Sequence, residues 1–320
     1  MDTTLHAPPS PHTLHTPHAA EASGAATAPR RPGALLVPAL LACYFIWGSA
    51  YLALRVALES FPPFFQMASR FLIAGSLLMA WSLARGHRLP GRTAWRNALL
   101  VGTLMLGGGM GLTALAAGHV GSGLVATFIA VVPMMVCGWG LCFGLRPHRL
   151  EFAGMAVGLV GVALLARGAS FSAAPIGVAC LIGATLSWSL GSVLSTTRLP
   201  LAQGPTGFAS EMLCGGVVLA IASLAMGERF AWPPAPLAAG AWVYLVVFGS
   251  LIGFSAYLYL LAHASQAVAT SYAFVNPVIA LLLGVGVAGE VVTRAEWAAS
   301  GVVLCGVVLI LLAPRKPAPP

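Results

Sequence analysis

Charged residues are scarce in this sequence. They make up 8% of 320 residues, whereas a soluble globular domain carries about 25%. With 58% of the chain hydrophobic, this points to many membrane crossings rather than a soluble fold or a single anchor. Cysteine chemistry is equally thin. Cys43, Cys137, Cys142, Cys180, Cys214 and Cys305 all fall in apolar stretches, with no C-x-x-C pair and no loop cysteine to join. They read as small buried hydrophobes. Catalytic constellations are missing as well: there is no H-E-x-x-H, no G-x-S-x-G and no pair of intramembrane carboxylates. Gly107–Gly111 is glycine-dense but lies inside an apolar span, without the strand and helix a nucleotide loop needs. Close helix packing explains it better, as it explains Gly154-x-x-x-Gly158. No metal and no cofactor is expected. Sixteen basic residues face eight acidic ones, but they form no contiguous basic face and no aromatics interleave with them, so nucleic acid is not expected as a partner.

Residues 1–34 also lack an apolar run, and they lack the basic start and short hydrophobic core of a signal peptide. They are expected to form a disordered cytoplasmic tail. His6, His12, His15 and His18 invite a metal-binding reading, but no thiols and few acids accompany them, so a solvated tail fits better.

What the chain does have is length of apolar sequence. A crossing needs about 20 apolar residues. Ten segments qualify: Leu35–Leu54, Phe64–Leu83, Ala98–Ala117, Gly123–Phe143, Leu150–Ala166, Ile176–Thr196, Phe208–Met226, Gly240–Leu261, Ala267–Val287 and Glu296–Leu312.

The sequence also repeats itself. HVGSGLVATFIAVVP (His119–Pro133) returns as HASQAVATSYAFVNP (His263–Pro277), offset by 144 residues. Upstream, Trp47 aligns with Trp188, and FQMASRFLIAG (Phe65–Gly75) with TGFASEMLCGG (Thr206–Gly216), at offset 141. Downstream, RLEFAG (Arg149–Gly154) aligns with RAEWAA (Arg294–Ala299), and Gly161 with Gly306, at offset 145. A five-span unit has an odd number of crossings, so its second copy must insert upside down. Inverted repeats of this kind are the architecture of secondary transporters. The expectation is an all-α membrane protein with ten transmembrane helices in two inverted five-helix repeats, residues 35–167 and 176–313, and a cytoplasmic tail at 314–320. The Gly/Ala/Ser-rich link Arg167–Pro175 separates the copies.

Positive charge sets orientation. With the N-terminus inside, eleven Lys and Arg fall on the cytoplasmic side and four on the other, while Arg70 lies within a span. Both termini are therefore expected in the cytoplasm. Arg149-x-Glu151 then falls inside and its mate Arg294-x-Glu296 outside, each with a Glu in a first helical turn, where it favours the dipole.

Several stretches carry a family resemblance: YFIWGSAYLALRVALESFPP (Tyr44–Pro63), SRFLIAG (Ser69–Gly75), LSWSLGSV (Leu186–Val193), ASEMLCGGVVLAIAS (Ala209–Ser223) and ATSYAFVNPVIALLLG (Ala269–Gly284), with Gly289–Glu290. From about Leu35 to Leu312 the chain resembles the EamA family of the drug/metabolite transporter superfamily and, within it, YedA-type inner-membrane transporters. The resemblance implies ten helices, two EamA repeats, and movement of a small metabolite or drug across the bacterial inner membrane. One departure stands out. Where YedA-like chains carry Gly-Asn, Glu and Pro-Ser-Gly in the third-helix region, this chain has Gly108-Gly109, Ala116 and Gly121-Ser122-Gly123.

Two ionisable residues lie inside spans, Arg70 and Glu211, at matching positions of the two repeats. Each costs about 2.5–3.5 kcal/mol on the insertion scale if unpaired, so both are expected to face the bundle interior. Snorkelling or capping is the competing explanation. Inversion puts them about 10–14 Å apart along the membrane normal, as two polar points on one pathway rather than a salt bridge. Glu211 is the candidate coupling site. Tyr272 and Asn276 are four residues apart, hence on one helical face. Their mates Phe128 and Val132 make the fourth helix an apolar wall. Pro277 and Pro133 follow directly and are candidate kinks. Trp47, Trp188 and Tyr257 are candidate cavity aromatics, against a plain packing role.

With no ATP-binding motif, transport is expected to be passive or driven by an ion gradient, and protons are a possible partner. The reading is a secondary-active exporter of a small metabolite or drug, working by alternating access in a lipid bilayer. Alternatives are a passive facilitator or importer, and, from other classes, a non-transporting receptor or an intramembrane enzyme.

Overall fold

The computed structural model of the chain describes residues 35–119, 125, 128–166, 175–288 and 293–314. Among them every regular element is a helix. In chain order these are α1 (Leu36–Ala57), α2 (Pro63–Ala84), α3 (Arg92–Ala117), α4 (Phe128–Cys142), α5 (Arg149–Ala166), α6 (Pro175–Thr197), α7 (Pro205–Ala225), α8 (Pro236–His263), α9 in two pieces (Gln266–Thr270 and Tyr272–Ala288) and α10 (Arg294–Leu311). Six of them, α1, α2, α3, α6, α7 and α8, are long and apolar enough to cross a membrane. Helix α4 and the Trp297–Leu311 part of α10 are shorter apolar helices. The expected N-terminal tail with its four histidines, the link after Arg167, Gly121–Gly123, Gly289–Glu290 and nearly all of the C-terminal tail lie outside the described residues.

The helix ends follow from local chemistry. Pro63, Pro205 and Pro236 stand in the first turns of α2, α7 and α8. There the fixed φ suits the helix and the missing N–H costs nothing. Beyond α2 and α7, Gly86 and Gly227 adopt φ of 82° and 66°, the left-handed turn that glycine accepts without strain. These two glycines are repeat mates. Glu228, next in the chain, reaches back to α2: its carboxylate accepts the N–H groups of Phe64 (3.0 Å) and Phe65 (2.7 Å) and the Ser223 hydroxyl (2.8 Å). An acidic group at a helix N-terminus satisfies free amides and favours the dipole. Glu151 does the same for α5, accepting from His148 N–H at 2.8 Å. The side chain of its mate Glu296 lies outside the described ones.

Related helices of the two repeats pack on one another, α2 on α7 and α5 on α10. Glycine permits both contacts. A Cβ on Gly216 would stand 2.9 Å from Leu72 Cγ, and one on Gly306 would stand 2.5 Å from Gly158 N. The expected packing role of Gly154-x-x-x-Gly158 is visible here, since a Cβ on Gly154 would be 2.6 Å from the Gly306 carbonyl. Outward faces stay apolar. Phe45 and Leu52 on α1, Leu77 and Trp81 on α2, Ile221 and Leu224 on α7, and Leu304 and Val308 on α10 are all exposed. This suits a lipid surround.

Helices α3 and α8 share a feature absent from the sequence-based reading. Each turns π-helical in mid-course, over Thr103–Gly111 and Leu245–Phe254. Gly107 and Gly111 correspond to Gly249 and Gly253, at offset 142. Wide turns loosen the backbone ladder and commonly occur at functional sites. Here two of their carbonyls accept from neighbouring helices: Leu104 O from the Ser187 hydroxyl at 2.7 Å, and Gly249 O from Trp47 Nε1–H at 3.3 Å.

Candidate functional site

A central cavity lies where seven helices from both repeats meet. Helix α1 contributes Trp47, Ala50, Tyr51 and Leu54. Helix α2 contributes Met67 and Arg70, and α3 contributes Gly109, Met110 and Thr113. Ile129 and Val132 come from α4, Ala184, Thr185 and Trp188 from α6, Leu245 from α8 and Tyr272 from α9.

The aromatic wall is one connected cluster. Trp47 stands edge-on to Trp188 at 5.7 Å and to Tyr272 at 4.5 Å between ring centroids. Tyr257 lies 5.2 Å from Trp47 and 5.3 Å from Trp188. Edge-on rings at these separations attract through their quadrupoles. Both tryptophans are seated by glycines of the π-helical stretches. A Cβ on Gly253 would lie 2.8 Å from Trp47 Nε1, and one on Gly109 would lie 2.9 Å from Trp188 Cε3. The glycine-dense run of α3 thus packs, as expected, and what it packs against is a cavity wall.

Of the sequence-predicted residues, Trp47, Arg70, Trp188 and Tyr272 line the cavity. Tyr257 is fully buried behind them, its hydroxyl 2.9 Å from Ser192 Oγ. Asn276 is also behind the wall. Its Nδ2 makes a long 3.5 Å contact to the Tyr51 hydroxyl, and its Oδ1 has no hydrogen-bond partner. Val132 faces the cavity, while Phe128 packs instead beside the buried Cys180 and Leu181. Pro133 sits in the first turn of the stretch Val132–Cys142, directly after a break at Val131. Pro277 lies inside the continuous Tyr272–Ala288 stretch, and the break in α9 falls at Ser271. There the Ser271 hydroxyl shares a 2.7 Å hydrogen bond with Tyr44.

The two ionisable mates part company. Arg70 lines the cavity at 2% exposure, its Nε donating to Ser250 Oγ at 3.2 Å. Glu211 is fully buried on α7 and is not part of the cavity wall. Both of its carboxylate oxygens lack a hydrogen-bond partner, so no direct bridge joins it to Arg70. The backbones of α3 and α7 approach closely at this level, since a Cβ on Gly102 would stand 2.8 Å from the Glu211 main-chain carbonyl.

Tyr51, Met67, Thr113 and Thr185 were not singled out by sequence. Three of them had a readable signal. Tyr51 follows Trp47 by four residues, Met67 precedes Arg70 by three, and Thr185 precedes Trp188 by three, each pair sharing a helical face.

The EamA-like transporter family matches this chain twice, over residues 32–167 and 175–312. The chain belongs to that family. A relative 42% identical over 287 residues, 88% of this chain and 94% of its own, is the uncharacterized inner membrane transporter YedA of Escherichia coli (strain K12). Another, from Streptantibioticus cattleyicolor, is named a probable terminal-alkyne amino-acid exporter. It is 27% identical, over 85% of this chain and 92% of its own. A protein of known crystal structure superposes with a TM-score of 0.71, covering 87% of this chain and 97% of that one at 22% identity. That is a likeness of fold. Family, relatives and apolar helices together make this a multi-pass membrane transporter, and they point away from an enzyme.

Proposed function

We propose that this member of the family is a secondary transporter that exports a small, largely apolar metabolite or drug through the central cavity by alternating access. One observation carries the reading: the cavity is lined from both repeats, with the repeat mates Trp47 and Trp188 touching across it. A site held between two inverted halves can open to either side as one half rocks against the other. The paired π-helical stretches of α3 and α8 border the cavity at Gly109, Met110 and Leu245 and are where such rocking would bend the helices.

All of α1 to α10 are taken as spans, with both termini cytoplasmic and the repeats at 35–167 and 176–313. Reporter fusions after Lys316 and within 85–96 should read as cytoplasmic, and one near Ser170 as external. Agreement between the Ser170 and Arg92 fusions would refute the five-span inverted unit.

Transport itself is tested in cells overexpressing the parent or Tyr272→Ala. Mass spectrometry of cells and medium should find a metabolite whose outside-to-inside ratio rises with the parent. That gain should fall about tenfold in the variant, the upper range of one aromatic contact, at equal membrane abundance. If no metabolite changes ratio with the parent, the exporter reading fails.

A further inference from the structure

We infer that the cavity takes an organic monoanion, a carboxylate joined to an apolar body, with the carboxylate held by Arg70. This rests on the cavity being the transport site.

Among the described residues, charge at the cavity is one-sided. The Arg70 guanidinium stays protonated, and among the described residues it forms no ion pair. Its Nε is held by Ser250 Oγ at 3.2 Å, and its Nη1 points to Met67 Sδ at 3.4 Å, a weak acceptor. The Phe71 ring lies 5.4 Å from its central carbon. The remaining edge meets Gly249, where a Cβ would stand 3.0 Å from Nη2. The described carboxylates are engaged or placed elsewhere. Glu228 and Glu151 hold helix N-termini, Glu59 is exposed, and Glu211 lies outside the cavity wall.

A buried cation without a counter-ion is costly. An anionic ligand recovers that cost by charge-assisted hydrogen bonds, and the planar guanidinium matches a carboxylate. A cationic ligand would be repelled. Among the described residues no second cation lines the cavity, so a dianion would bring an uncompensated charge. The rest of the lining is aromatic and aliphatic, with Tyr51, Thr113 and Thr185 as scattered hydroxyls. Such walls suit an apolar body.

The test uses the purified full-length protein in detergent and three probes of one shape: 3-phenylpropionate, 3-phenylpropanamide and 3-phenylpropylamine. Ligand-dependent thermal stabilisation gives apparent affinities. The carboxylate should bind the parent about tenfold or more tighter than the amide, the scale of hydrogen bonds to a charged group, and the amine should bind weakest. Arg70→Gln should remove the preference for the carboxylate. Gly249→Ala keeps the charge but crowds the guanidinium, and should weaken carboxylate binding severalfold while leaving the amide nearly unchanged. This variant decides the matter if Arg70→Gln does not fold. Amine or amide binding as tight as the carboxylate overturns the inference, as does no binding of the carboxylate or its indifference to both variants. Uptake of the same probes into proteoliposomes separates the two readings. Arg70-dependent binding without uptake would sink the transporter reading and leave the ligand class standing. Uptake of the amine or amide, independent of Arg70, would do the reverse.

Discussion

Gly306→Val should cost about 3 kcal/mol or more of stability, the top of the range for overpacking. Helices α5 and α10 touch backbone to backbone. A Cβ on Gly306 would stand 2.5 Å from Gly158 N, 2.7 Å from Gly154 O and 2.8 Å from Gly158 Cα. Backbone atoms inside a helix cannot rotate away, so the helices must separate. Separation would loosen the buried cluster of Met155, Val162, Val303, Val307 and Ile310. Gly301 supplies a matched control on the same helix. Nothing lies within 4 Å of a Cβ there, so Gly301→Ala should be neutral or stabilising by up to about 1 kcal/mol through helix propensity. Thermal unfolding in detergent measures both. Equal behaviour of the two variants would mean that α5 and α10 are not in this contact.

The second large effect concerns coupling. We propose that Glu211 carries the proton that drives export. It is a carboxylate able to gain and lose a proton, fully buried, with two oxygens lacking partners. Its position behind the cavity wall separates proton from substrate. The proton would then act by biasing which state is populated, through its differential affinity for the two. In inside-out vesicles with a lumen one pH unit more acidic, one proton per cycle supports up to about tenfold accumulation of substrate, at about 1.36 kcal/mol per unit. Glu211→Gln keeps the shape and removes the titration. Accumulation should drop to the level seen without a gradient, while substrate exchange at equal pH stays at the parental rate. A Gln variant that accumulates substrate as strongly as the parent makes Glu211 a structural residue.

Four of the residues singled out from sequence line the cavity, and each carried a mark there: a residue type out of place for a span, or one repeated across the two halves. Trp47 and Trp188 were found by repeat alignment, Arg70 by its charge, and Tyr272 by its polar group in an apolar helix. All four line the cavity. Residues such as Ile129, Met110 and Ala184 also line it, but an aliphatic side chain in an apolar helix carries no mark of which way it faces. The π-helical stretches were invisible for a related reason. Nearly every residue of Leu245–Phe254 is apolar or glycine, so a change from 3.6 residues per turn to a wider turn leaves no shift in polar periodicity.

Composition, span length and repetition determined by themselves that this is a helical membrane protein built from a duplicated unit, and most described helix ends fall close to those of the apolar runs, though α3 starts at Arg92 rather than Ala98 and α8 at Pro236 rather than Gly240. Hydrocarbon thickness sets span length, and prolines and glycines mark the ends through backbone chemistry that is purely local. Tertiary structure alone decided which of two symmetry-related ionisable residues meets the cavity. Arg70 and Glu211 are equivalent in the repeat, but their neighbours are not. Gly102 lets α3 approach the α7 backbone at Glu211, while the corresponding position in α8 is Tyr244, whose hydroxyl pairs with Ser49 at 2.6 Å. One small residue against one large one makes an approximate symmetry unequal. Packing, which depends on both partners at once, is not written in either stretch of sequence alone.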